Sequence, residues 1–346
     1  MKVNFIYKRI KAHAAPSGYV RLAEYIDGNI INTSETLNLL ERIIARSLRF
    51  LVNRSNLLWY QREALICELR ASIKWLAGRN QLFHFLMGEN SFRYLGVLKR
   101  IRKGNAIVCT YHTPKKRFHE VVSSCKFLRD IDAVIVVSTV QLEFLSELVG
   151  PEKVFYVPHG VDVEYFQPLS VKSVASSSFH CLAVGSHLRD YATLGQTARL
   201  LEQTDSNIRF SIVAPMESKP YFEGLSNVDW YVGISDDELL NLYQTSDIFA
   251  LPLLDCTANN VLLEAMACGL PVVATDLVGV RDYVDDKCAV LTSPGNHHAM
   301  RDAIVSLYED NTKREKMVIE ARNKALEFSW EEVAIKVRQV YDNVLG

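Results

Sequence analysis

No run of apolar residues in this chain reaches the ~18 that a membrane-spanning helix needs, although hydrophobic residues make up 49% of it. The first residues, MKVNFIYKRIKAHAAPSGY, read as a short strand and a loop and lack the apolar core of a signal peptide. Glycine (16) and proline (10) are sparse among 346 residues, which excludes collagen-like and Pro/Gly-rich disordered chains. Seven cysteines, at 67, 109, 125, 181, 256, 268 and 288, form no pair with metal-ligand spacing. Their odd number and scatter suggest reduced thiols, and hence a cytoplasmic protein. Net charge is nearly missing too, at −1, but this conceals an asymmetry. Residues 1–168 carry 24 Lys and Arg against 15 Asp and Glu, and the remainder carries 15 against 25. The basic half is expected to meet something anionic: nucleic acid, lipid or a phosphorylated substrate.

What is present is an alternation. Short β-branched runs at Val3–Tyr7, Ala106–Thr110, Ala133–Ser138 and Lys153–Val157 are separated by helical patterns at 20–27, 36–50, 60–77 and 140–149. After a Ser-rich stretch (167–179), read as a linker or surface loop, the alternation restarts. Strands are predicted at Cys181–Val184, Arg209–Val213, Val228–Val232, Ile248–Leu251, Pro271–Ala274 and Ala289–Leu291, with helices between them. This predicts two tandem doubly wound α/β domains with parallel sheets, each binding ligand at the carboxyl ends of its strands. The expected ligand site is the cleft where the domains face each other.

The segment ANNVLLEAMACGLPVVATD (258–276) places a carboxylate, Glu264, in an apolar run. A buried charge is costly unless paired or turned to an opening. Asn259, Asn260 and Val261 stand at a helix start, where free N–H groups suit phosphate. Glu264, a turn further on, can accept hydrogen bonds from vicinal hydroxyls such as those of a ribose. Asn260 reads equally well as a helix N-cap.

Here the chain resembles the retaining family 4 glycosyltransferases of the GT-B fold. LLEAMACGLPVVATD is similar to the second half of that family's motif, in which one Glu is followed after seven residues by another. By this resemblance Glu264 is the ribose-binding second Glu. Cys256 stands in the place of the first, which contacts the donor sugar, and Asp255 is one position out of register. VFYVPHGVDVEYFQP (154–168), IDAVIVVST (131–139), DELLNLYQTSDIFALP (237–252) and FSWEEVAIKVRQVYDNVL (328–345) extend the resemblance along the chain. It implies an acceptor-side domain over 1–165, a nucleotide-sugar domain over 166–329, and a helix, 330–346, crossing back to the first.

Further site residues follow from the resemblance. In AVGSHLRDYATL (183–194), Gly185 and Ser186 stand where the family has Gly-Arg, and Arg189 is left to bind the diphosphate; a surface pair with Asp190 is the plain alternative. Tyr231 and Gly233 fall where the base would lie. In the first domain Gly18 occupies a Gly-turn position, and His112 matches a strand-end His beside the donor sugar. Glu89-Asn90 reads as an acceptor-side wall or a helix cap.

The implied activity is metal-independent glycosyl transfer with retention, with His112, Arg189 and Glu264 as the catalytic set. The resemblance implies no cofactor beyond a UDP- or GDP-linked sugar co-substrate. The acceptor hydroxyl belongs to a saccharide, lipid-linked or small-molecule partner, in glycan or glycolipid synthesis. The alternatives are a GT-B epimerase or phosphorylase, or a non-catalytic nucleotide-sugar binder. The basic stretch 42–79, with Trp59, Tyr60 and Trp75, suits contact with an anionic membrane, on its inner face. It reads more simply as a sheet-covering helix with a solvated basic face. No nucleic-acid recognition motif accompanies it.

Overall fold

The structure, a computed structural model, describes residues 2–8, 16–33, 37–169, 178–204 and 207–345. Most of the expected Ser-rich linker (170–177) and of the loop after the first strand (9–15) lies outside these residues. The first elements are β1 (Lys2–Lys8), α1 (Leu22–Tyr25), β2 (Gly28–Thr33), α2 (Leu39–Ser47), α3 (Arg49–Asn53), α4 (Arg62–Ala77) and β3 (Gln81–Phe85). They are followed by α5 (Gly88–Ser91), β4 (Ala106–Tyr111), α6 (Lys115–Val121), β5 (Ala133–Val136), α7 (Leu142–Val149) and β6 (Val154–Tyr156). Then come β7 (Phe179–Val184), α8 (Tyr191–Thr204), β8 (Ile208–Val213), β9 (Val228–Tyr231), α9 (Asp236–Thr245), β10 (Ile248–Leu251) and α10 (Asn260–Ala267). The chain closes with β11 (Val272–Thr275), α11 (Val278–Arg281), β12 (Ala289–Thr292), α12 (His297–Glu309), α13 (Asn311–Leu326) and α14 (Trp330–Leu345).

Two compact units result. One takes in β1 to β6 with α14; the other takes in β7 to β12 with α8 to α13, and residues 16–17 group with it. Each holds a six-stranded sheet, ordered β2-β1-β3-β4-β5-β6 in the first and β12-β11-β10-β7-β8-β9 in the second. Every described strand pair is parallel. Parallel sheets are covered on both faces, which is why β4, β5, β10 and β11 are apolar runs buried along their whole length. The order reverses between β1 and β3 in one unit and between β7 and β10 in the other. Open α/β sheets bind ligands at such reversals, beyond the carboxyl ends of the strands.

Residues 28–33, given no element from sequence, form the edge strand β2. Its Gly28, Asn29 and Asn32 are poor strand formers, tolerated because half of the edge faces outward. Residues 81–85 form β3 despite His84, because that imidazole is buried between two hydroxyl partners, Tyr341 OH (2.6 Å) and Thr110 Oγ1 (2.8 Å). The helix expected over 36–50 breaks at Leu48 into α2 and α3. The sheet is covered by α4, and α2 packs on α4 through Leu37, Ala45 and Ile66. Trp75 and Tyr60 are core residues, and Trp59 packs against the same core. These aromatics are therefore not available as surface anchors.

Candidate active site

In the second unit the chain leaves β7 at Gly185 with φ +104°. A Cβ at this position would also lie 2.6 Å from Arg189 Nη2, so only glycine fits. The loop then fastens to the one leaving β10: Leu254 N–H donates to Leu188 O (2.9 Å) and Asp190 N–H to Pro252 O (3.1 Å). Asp190 does not pair with Arg189. Its carboxylate takes the N–H and hydroxyl of Thr193 and caps the start of α8. Ser186 and His187 are exposed.

The Arg189 side chain turns inward. Nε donates to Val184 O (2.9 Å), Nη1 to His187 O (2.9 Å) and Nη2 to Asn259 Oδ1 (3.4 Å). Burial pulls its pKa down, and the charge of Glu264 is among the weaker influences opposing this. All three bonded acceptors are neutral, and a guanidinium has five N–H donors, so two remain for a ligand. A desolvated cation without a bonded carboxylate is a natural seat for an anion.

Beside it begins α10. Asn259, not Asn260, is its N-cap residue, and the Asn259 side chain makes no cap bond because it faces Arg189. The N-cap alternative for Asn260 therefore fails. The first bond back along the helix is Leu263 N–H to Asn259 O (3.3 Å), so the N–H groups of Asn260, Val261 and Leu262 have no intrahelical acceptor.

Glu264 is 4% exposed. Oε1 accepts from Ser17 Oγ (2.5 Å) and Oε2 from Tyr243 OH (2.9 Å). Burial raises its pKa, and the two hydroxyls partly offset that. Both oxygens thus already bind hydroxyl groups, the bonding a vicinal diol would offer. No local pattern in the sequence links Ser17 or Tyr243 to Glu264.

Cys256 is buried near Arg189, and its pKa is pushed up to about 12 by burial, with Arg189 pulling the other way. It is a neutral thiol at neutral pH. The neighbouring Asp255 accepts the Cys256 N–H at Oδ1 (2.8 Å). Tyr231 ends the edge strand β9, and its carbonyl accepts from Ala214 N–H (3.2 Å). Gly233 has φ +63°, and the loop closes on a Ser235–Glu238 capping box.

In the first unit His112 follows β4. Nε2 lies 2.9 Å from Leu86 O, and since a carbonyl only accepts, Nε2–H is the donor. Its backbone N–H donates to Glu89 Oε1 (2.8 Å), which also accepts from Thr113 Oγ1 (3.0 Å). Gln141 Nε2 bonds the carbonyls of Tyr111 (3.0 Å) and Thr113 (3.2 Å). Glu89 therefore clamps the strand end and does not cap α5, whose N-cap residue is Met87. The Tyr19 ring lies edge-on to His112 at 4.8 Å and to His159 at 5.3 Å, and is delivered there by Gly18 at φ +96°. One Asp-x-Asp triplet occurs in the chain, Asp130-Ile131-Asp132, at the opposite, amino end of β5. There Asp132 is held by Lys99 (2.5 Å) and the Ile107 N–H (2.8 Å).

Comparison with known proteins follows the two units. A family model described as Glycosyl transferases group 1 matches residues 179–310, and one described as Glycosyltransferase Family 4 matches residues 37–165. An MMP alpha-(1->4)-mannosyltransferase of Mycolicibacterium hassiacum is 27% identical over 317 residues, covering 81% of this chain and 75% of its own. A D-inositol 3-phosphate glycosyltransferase of Paenarthrobacter aurescens is 26% identical over 55% of this chain, which spans about half (52%) of that relative. The solved structure of a glycosyltransferase from Rickettsia africae superposes with a TM-score of 0.68 at 16% identity, over 99% of this chain and 98% of its own.

Proposed function

Because the chain belongs to the group 1, family 4 glycosyltransferases of the GT-B fold, we propose that it moves a hexosyl group from a UDP- or GDP-linked donor to an acceptor hydroxyl, with retention and without a metal. The observation that carries this reading is the Arg189 guanidinium, bonded only to neutral acceptors, beside the open start of α10. Together they supply two N–H donors and a helix N-terminus for a diphosphate. As the nucleoside diphosphate departs, its growing charge falls on those donors, which is where positioned charge lowers a barrier most. Glu264 takes the ribose hydroxyls in exchange for the Ser17 hydroxyl it now binds. The base lies along Tyr231 to Gly233, and Ser186 closes the phosphate loop.

His112 is assigned to the transfer step. Among the described residues no pair of carboxylates suggests a covalent glycosyl intermediate. The acceptor hydroxyl then attacks from the side the diphosphate leaves, and catalysis is positioning plus charge stabilisation. The relatives' names make a mannosyl donor and a saccharide or phosphorylated cyclitol acceptor the first to try. A lipid-linked acceptor would add contact with an anionic membrane.

The test is incubation with UDP- and GDP-linked hexoses, with and without EDTA, reading released nucleotide and product anomer. Transfer, or slow donor hydrolysis, with retained configuration in EDTA supports the reading. Inversion, strict metal dependence, C2 epimerisation or binding without turnover overturns it.

A further inference from the structure

The basic stretch near the start of the chain has an outer surface that the fold does not use. On α2 the inward residues are Glu41, Ala45 and partly Ile44, the last two packed toward Ile66 and Leu69 of α4. Glu41 is bound to Arg70. The outward side of α2 holds Leu39 (76% exposed), Leu40 (66%) and Ile43 (54%); Phe50 (52%) on α3 and Leu58 (66%) in the turn before α4 are exposed as well. Leu39 and Ile43 are four apart and share one helix face; Arg42 and Arg46, also four apart, flank it. Arg49 and Arg54 extend the positive charge, and Glu41 is the sole acid among residues 37–59. A solvated basic face would show charge without large apolar side chains; this one shows both. Several large apolar side chains exposed together on one short helix mark an interaction site. Arg42, Arg46, Arg49 and Arg54, with Glu41 turned inward onto Arg70, favour a negatively charged, apolar-backed partner.

We propose that the outer face of α2 and α3 docks on an anionic lipid surface, with Leu39, Leu40, Ile43, Phe50 and Leu58 entering the acyl boundary and Arg42, Arg46, Arg49 and Arg54 meeting headgroup phosphates. The helices lie in the interface plane; neither crosses it. The surface is independent of the transfer reaction, so its test needs no sugar donor.

The full chain is sedimented with phosphatidylcholine vesicles, with and without phosphatidylglycerol, at low and high salt. Binding is expected only to the phosphatidylglycerol vesicles, weakening as salt rises. Removing one basic residue from such a surface weakens partition about fivefold. The pair Arg46→Glu and Arg49→Glu, whose side chains make no bond among the described residues, should therefore weaken it by about 25-fold or more. The triple Leu39→Ser, Leu40→Ser, Ile43→Ser should abolish binding while leaving the far-UV spectrum and melting temperature near wild type. Equal binding to both vesicle types, no binding to either, or variants that bind like wild type would overturn the proposal. So would concentration-dependent dimerisation that the triple variant removes, since that assigns the face to a second copy of the chain.

Discussion

The Tyr243 hydroxyl donates to Glu264 Oε2 at 2.9 Å, both groups being buried. It supports one of the two oxygens of a carboxylate held near the start of α10. Removing it with Tyr243→Phe leaves that oxygen without a partner, a loss of about 1–3 kcal/mol. The melting temperature should fall measurably. Glu264→Ala should go further and weaken UDP or GDP binding by roughly 10–100-fold, the worth of charged hydrogen bonds. Calorimetric titration of both nucleotides reads this directly. Wild-type nucleotide affinity in a folded Glu264→Ala protein would remove Glu264 from the donor site.

Arg189 offers a fork that lysine cannot reproduce. Arg189→Ala should weaken nucleoside diphosphate binding by about 10–100-fold, and Arg189→Lys should recover only part of it. Gly185→Ala tests the same site from the backbone. A left-handed φ costs an L-residue about 1–2 kcal/mol, and the added methyl would lie 2.6 Å from Nη2 and displace the guanidinium. Its nucleotide affinity should therefore drop along with its stability. A Gly185→Ala protein that binds nucleotide like wild type would show that the Arg189 position is immaterial.

How much of this was legible beforehand follows from where each partner lies in the chain. Local patterns suffice for β4 or α4, whose periodicity is continuous. They also mark Asn259 as a candidate, by its place at a helix start, while Arg189 is marked by the family resemblance of the loop after β7. The bond between those two side chains was not legible, since 70 residues separate them. Ser17 and Glu264 are 247 residues apart, and His84 and Tyr341 are 257 apart. Such pairs are made by the fold and leave no periodic trace. Glu89 was visible as a carboxylate in a short turn, but its role as the clamp on His112 and Thr113 needed the β3–β4 register.

Gly279 meets a different limit. Its Cα approaches the loop around Cys256 so closely that a Cβ would collide with Cys256 O and lie 2.8 Å from Thr257 O. Both are backbone atoms and cannot rotate away. Gly279→Ala should therefore cost about 1–3 kcal/mol, the usual range for overpacking, and shift the loop that carries Asn259. Unchanged thermal stability would mean that α11 can retreat without loss.

His84 gives the pH dependence its sign. Its Nδ1 accepts from Tyr341 OH, its Nε2–H donates to Thr110 Oγ1, and Thr110 in turn donates to Tyr19 OH (3.4 Å). That chain suits a neutral ring. Burial first, and then the charge of His112, pull its pKa from 6.5 down to about 3. The unfolded chain takes up this proton below about 6.5 while the folded one resists until about 3. The contribution is therefore intact above the unfolded pKa and is lost as pH falls through that window, with about 2 kcal/mol gone by about pH 5. Phe5, Tyr341, Thr110 and His112 surround the ring, and none is a carboxylate that could offset its charge. Replacing it by His84→Gln should lower stability at neutral pH but flatten the decline between about pH 7 and pH 5. Denaturant titrations of both proteins at the two pH values measure this, and parallel declines would show that another group governs the acid limb.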